Sequence, residues 1–132
     1  MSLDVLVGEW ETEATFPNGV SGTGRTTFEP VLGGAFLLQR ATADVDGPPE
    51  GLMVIGPDEH GALTQHYFDS RGVTRRYAMT LEGDAWTLER DGVQRYLGRF
   101  EDEDTIRGAW EWFRDGAWQH DFELDYRRSV AP

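Results

Sequence analysis

What most constrains this chain is a two-residue alternation of side chains, broken at regular intervals by turn residues. The runs Ala85–Arg90, Val93–Phe100, Thr105–Arg114 and Ala117–Arg128 follow one another, joined at Asp91-Gly92, Asp102-Glu103-Asp104 and Asp115-Gly116. An Asp-Gly pair between alternating runs is a strong hairpin signal, because a two-residue primed turn needs positive φ. The first half reads the same way. In GEWETEATF, Trp10, Thr12, Ala14 and Phe16 alternate with Glu9, Glu11, Glu13 and Thr15, and Pro17-Asn18-Gly19 turns the chain. Strands follow at Gly22–Glu29, Ala35–Asp44 and Leu52–Gly56, separated by Pro30 to Gly34 and by Asp46 to Pro49. Beyond Asp58 to Gly61, Gln65–Leu81 forms a hairpin around Asp69-Ser70-Arg71-Gly72.

About ten strands thus lie in meander order, with no helix between them to carry a parallel crossover. The expected fold is all-β: one up-and-down antiparallel barrel domain of about ten strands over residues 1–132. Closure removes the sheet edges and creates an interior. That interior can hold a small ligand if side chains do not fill it. Ser2 to Val7 reads as a single helical turn capped by Ser2, too short to matter alone.

Composition narrows the function. The formal charge is −12, from 24 acids and 12 bases, and every base is Arg. Such a surface argues against sequence-independent binding to nucleic acid or an anionic membrane. Without Lys there is no side-chain Schiff base. Without Cys there is no disulfide frame, thiolate metal site or thiol nucleophile. Ser occurs at Ser2, Ser21, Ser70 and Ser129, all in turns or ends, so no Ser-His-acid arrangement can be argued. The three His are too scattered for a zinc pattern. EDEDT near residue 103 reads as a solvated turn rather than a calcium cage. MSLDVLVGEW has neither a basic region nor a long apolar core, so a cytoplasmic protein is expected, and a homodimer is allowed.

Parity says which side chains face inward. On the sixth run Val73, Arg75, Tyr77, Met79 and Leu81 share a face, so Arg75 stands among apolar residues. Ile106, Gly108, Trp110, Trp112 and Arg114 share another, and Trp118, His120, Phe122, Leu124 and Tyr126 a third. Their aromatic content marks these faces as interior, with Trp86 and Leu88 alongside. Glu111, Asp121, Glu123 and Asp125 then face out. Few carboxylates remain inside to pair with Arg75, Arg90 or Arg114, and an unpaired buried charge is costly. Arg90 and Arg114 lie at strand ends, where long stems reach solvent. Arg75 sits deeper, with Gln94, Tyr77 or a water as its alternative partner. His66 faces in with Phe68 or out opposite Tyr67; parity in LTQHYF allows both.

Gly8-Glu9-Trp10 and Tyr126-Arg127-Arg128 resemble the calycin superfamily of lipocalins and fatty-acid-binding proteins. The resemblance implies a plug at one barrel end, with Trp10 stacked on Arg127 or Arg128. Across GEWETEATF, GGAFLLQR, HYFDSRGVTRRYAM, IRGAW and DYRR the chain is similar to small bacterial lipocalin-like proteins of unassigned function. Nitrobindin-like haem proteins share the broad architecture and hold haem through one His on the final strand, which makes haem the cofactor to test.

The expected function is binding of a small, partly apolar molecule, oxygen-rich or anionic, in the lumen. Tyr77, Trp86, Trp110, Trp112 and Phe122 would form walls, with Arg75, His120 and His66 as polar contacts. The catalytic alternative is a cyclase or isomerase with His120 as acid/base beside Arg75 and Tyr77. Haem binding through His120 is the third reading.

Overall fold

The computed structural model describes residues 2–44 and 49–129. Ten strands pair antiparallel in chain order, and the first also pairs with the last, which closes the barrel. They are β1 (Gly8–Thr15), β2 (Ser21–Val31), β3 (Phe36–Ala43), β4 (Gly51–Pro57), β5 (Leu63–Asp69), β6 (Thr74–Glu82), β7 (Ala85–Arg90), β8 (Gln94–Asp102), β9 (Thr105–Arg114) and β10 (Ala117–Arg128). Their limits differ from those read in the sequence by no more than two residues. The expected break at Asp46 to Pro48 lies outside the described residues. Asp91 and Asp115 hold φ of 52° and 53°, as the Asp-Gly hairpins require.

The seam between β1 and β10 runs from Trp10 opposite Arg128 to Thr15 opposite Glu123. It is pinned at the barrel's closed end. The Arg128 guanidinium lies 4.1 Å from the Trp10 ring, so the plug is made by Arg128 and not Arg127. Its nitrogens donate to Val7 O (2.5 Å), Val5 O (3.0 Å), Glu103 O (3.2 Å) and Asp104 Oδ1 (2.9 Å). Asp104, in the EDEDT turn, is thereby engaged in the clamp. Gly8 has φ of 127°, and a Cβ there would come within 2.7 Å of Arg128 Nη1. Only glycine accepts both that backbone angle and that approach.

The short N-terminal turn matters more than its length suggests. Leu3–Leu6 forms a 3-10 turn capped by Ser2, whose side chain accepts from Asp4 N. Leu6 is fully buried, and its carbonyl accepts from Trp10 Nε1 at 2.9 Å. The turn is therefore a lid over the closed end.

Above this lid the closed half is solid. Trp86 is fully buried, with ring centroids 6.2 Å from Phe28 and 5.4 Å from both Tyr96 and Tyr126. Leu37, Ile55, Leu81, Leu88 and Ile106 fill the space between the rings. Trp86 Nε1 has no hydrogen-bond acceptor among the described residues.

Arg128→Ala removes a cation–π contact and four charged hydrogen bonds. It should cost about 2–4 kcal/mol and lower Tm by roughly 5–15 °C in calorimetry. Arg127→Ala, one residue away on the exposed face, is the control. Equal losses from the two variants would show that the clamp does not hold the seam.

Candidate functional site

The opposite end carries the polar and ionisable groups. A row of buried polar side chains crosses the inner wall from β2 to β8. Thr26 Oγ1 donates to Arg40 O (2.9 Å), Gln39 Nε2 to Thr26 Oγ1 (3.1 Å), and Gln65 Nε2 to Gln39 Oε1 (3.0 Å). Gln65 lies opposite Tyr77, whose hydroxyl donates to Gln94 Oε1 at 3.0 Å. Arg90 donates to the same oxygen through Nε and Nη2, both at 3.1 Å. Gln94 is therefore a partner of Tyr77 and Arg90, not of Arg75. Each amide in this row is bonded, as burial demands.

Nearer the open end, Tyr67 and Arg75 oppose each other on the inner face. The Tyr67 hydroxyl donates to Asp69 Oδ2 at 2.7 Å, and Arg71 donates to that oxygen from Nε (3.1 Å) and Nη2 (2.6 Å). Asp69 is thus an inward carboxylate hidden in what reads as a turn, and its side chain is shielded from solvent. Hydrogen bonds from Arg71 first, and from Tyr67, hold its pKa well below the usual carboxylate range. Burial, with the Asp69 hydrogen bond, pushes the Tyr67 phenol up to about 12. Burial likewise raises Tyr96 and Tyr126.

Aromatic rings line the space between these groups. Tyr77 stands 6.5 Å from Tyr67 and 5.7 Å from Trp110, which in turn is 5.3 Å from Tyr96. Phe122 stacks on Phe16 at 5.1 Å. The Trp112 ring lies between Arg90 (5.9 Å) and Arg114 (5.6 Å), and its Nε1 donates to Asp121 Oδ2 at 2.5 Å.

Of the residues singled out from the sequence, the structure gathers Arg75, Tyr77, Trp110, Trp112 and Phe122 on the inner wall. Trp86 is inside too, but packed into the solid closed half. The two histidines are corrections. His66 lies exposed on the outer face, opposite Val54 and Arg76, because Tyr67 takes the inward position. His120 is also outside, because β10 carries a bulge between His120 and Phe122. His120 opposes Glu111 while Phe122 opposes Trp110, so parity reverses at Asp121. Trp118 follows His120 outward, where the Arg95 guanidinium lies 4.1 Å from its ring.

The consequences for chemistry are direct. His60 is exposed in a turn, so none of the three histidines faces the lumen. A luminal haem held by His120 is not assembled, nor is an acid/base set of His120 with Arg75 and Tyr77. Sequence reasoning left Tyr67 and His66 as alternatives for the inward position, and it missed Asp69 and Asp121 as inner-wall groups.

The class is now defined: a closed ten-stranded antiparallel barrel, packed solid at one end and polar-aromatic at the other. No protein-family model matches the chain, and no curated protein matches it significantly. Solved structures do share the fold. Rv2717c from M. tuberculosis superposes with a TM-score of 0.65 at 17% identity, covering 97% of this chain and 95% of that one. A de novo designed fluorescence-activating β-barrel gives a TM-score of 0.52 at 15% identity, over 96% of this chain and 95% of that one.

The Tyr67–Asp69–Arg71 cluster makes stability depend on pH at both extremes. A phenol whose pKa is raised by folding contributes fully below its ordinary value of 10.0, and the contribution is lost as pH climbs through about 12. A carboxylate held low contributes above its ordinary value of 3.8, and that contribution is lost as pH falls below it. Urea midpoints across pH should therefore show a shallower alkaline loss in Tyr67→Phe and a shallower acid loss in Asp69→Asn. Unchanged slopes would mean that neither group is coupled to folding.

Proposed function

We propose that this protein is a calycin-like carrier or receptor that binds a small, partly apolar anion at the open end of its barrel. The observation that carries this is the inner-wall charge. Arg75 and Arg90 stand half-buried on inward positions, Arg114 is exposed at the end of β9, and none of the three forms an ion pair among the described residues. Of the inner-wall carboxylates, Asp69 is engaged by Tyr67 and Arg71, and Asp121 by Trp112. A half-buried guanidinium without a carboxylate favours an anion from outside. Tyr77, Trp110, Trp112 and Phe122 offer flat apolar surface beside it, the usual makeup of a small-molecule site. The other strand acids, by contrast, cover the outer wall, so the net charge of −12 does not describe the field inside.

Melting scans with dodecanoate and with dodecyltrimethylammonium test this reading. Dodecanoate at a hundredfold excess over Kd should stabilise the protein by about 2.7 kcal/mol, and the cation should not. In Arg75→Leu the unliganded protein should melt no lower than wild type, since an unpaired half-buried charge is removed, while the dodecanoate shift should shrink. Equal shifts with both amphiphiles would reject recognition of charge.

A further inference from the structure

The outer wall of the barrel is not uniformly acidic. Outward positions follow from strand parity and register. Each of seven strands carries at least one acid there, from Glu9 on β1 and Glu29 on β2 to Glu111 on β9 and Asp125 on β10. Among the described residues, β3, β4 and β5 carry none, and they lie side by side. β4 is moreover apolar on both faces, with Leu52 and Val54 outward and Met53 and Ile55 inward. An antiparallel strand with one face in water normally alternates apolar with polar, so this one reads as covered on both sides. Leu52, 36% exposed, opposes Phe68, 39% exposed, and Val54 opposes the half-buried Leu38. The Phe36 ring lies over Gly56, where any Cβ would collide with it, so the face is smooth.

The register orders this face into rows across five strands. One row reads Glu29, Leu38, Val54, His66, Arg76, and the next Thr27, Arg40, Leu52, Phe68, Thr74. The two ends of each row complement one another about β4, an acid against a base in the first and a guanidinium against an aromatic ring in the second. A two-fold axis along β4 exchanges those ends between two copies. It turns Glu29 of one copy toward Arg76 of the other, sets Arg40 over the Phe68 ring, and brings Leu52 onto Leu52. An axis across the strands would set like ends together instead. Arg76 also reaches Asp58 at 3.7 Å, and Asp58 and Glu50 stand at the turns just beyond the two ends of β4.

We infer that the outer face of β3 to β5 docks a second copy of this chain, related by a two-fold axis along β4. Two bodies of charge −12 repel wherever their carboxylates meet, and this face keeps them apart. The contact is the same patch on both copies, so it closes at a dimer. Its size makes it weak. Three strands about 4.8 Å apart, over some six residues of about 3.4 Å each, cover roughly 15 by 20 Å. That is well short of the about 800 Å² per partner in a standard interface, which corresponds to a Kd of about 10–300 µM. The inner wall takes no part, so the inference stands apart from the proposed ligand site.

Sedimentation equilibrium from about 10 µM to about 1 mM protein spans that range. Raising salt from about 0.02 to about 0.3 M should tighten the dimer roughly fivefold, because repulsion between like-charged bodies is screened. Leu52→Glu sets two carboxylates face to face on the axis and should raise Kd at least about tenfold, with near-UV circular dichroism unchanged. Leu97→Glu, at an equally exposed apolar position on β8, should leave Kd as it is. In the cysteine-free chain, Leu52→Cys should oxidise to a self-linked dimer much faster than Leu97→Cys. A wild-type protein that stays monomeric throughout would overturn the inference, as would a dimer kept by folded Leu52→Glu or broken by Leu97→Glu. Equal rates of linkage from the two cysteine variants would rule out the axis along β4.

Discussion

Closure of the sheet on itself is the constraint from which the rest of the molecule follows, and Arg128 is where it is enforced. An antiparallel sheet of ten strands has two edges unless its first and last strands meet. Here they meet in a register set by one guanidinium, which reads the carbonyls of Val5 and Val7, a carbonyl and a carboxylate from the β8–β9 turn, and the face of Trp10. Backbone carbonyls at fixed spacing make this more selective than an ion pair alone, since a one-residue slip would misplace every acceptor. The same clamp draws the N-terminal turn over the barrel end, where Leu6 completes the core. A short helix-like turn with little stability of its own thus becomes a fixed part of the fold.

Because the closed half is packed and apolar, the open half is free to be polar. The row Thr26–Gln39–Gln65 and the set Tyr77–Gln94–Arg90 mark the boundary between them. Buried amides that satisfy one another are structurally demanding but cost little once complete. Here Thr26 Oγ1, Gln39 Oε1 and Gln94 Oε1 each accept from a side chain of another strand.

Much of the fold was legible from the sequence, for two physical reasons. Alternation has a period of two only in strands, and Asp-Gly punctuation supplied positive φ where hairpins needed it. The inward face of β6 followed directly, and with it the placement of Arg75 and Tyr77. The clamp was legible as a pair of alternatives, Arg127 or Arg128, which only the register could separate. What failed was the extrapolation of parity through β10. Ten residues of β9 face eleven of β10 between the Arg114–Ala117 and Thr105–Arg127 pairs. No Gly or Pro marks the extra residue, so a run that alternates without interruption conceals a reversal at Asp121. The visible trace was the mismatch in length between the two strands of one hairpin, which has meaning only once both ends of the ladder are known.

That single inserted residue decides the chemistry more than any motif does. With unbroken parity, His120 would enter the lumen beside Arg75 and Tyr77, and general acid/base catalysis or haem ligation would have a titratable centre. The bulge instead puts His120 on the outer wall opposite Glu111 and brings Asp121 to the indole of Trp112. The inner wall is left with guanidinium, amide and phenol groups, and with the carboxylates of Asp69 and Asp121, each held by a donor. Of these, the phenols of Tyr67, Tyr96 and Tyr126 are pushed above their ordinary range, away from neutral pH. Groups that hold their protons through the physiological range can orient and neutralise an anion, but they are poorly matched to exchanging protons with one. The position of one bulge therefore decides which side chains the barrel's polar end presents.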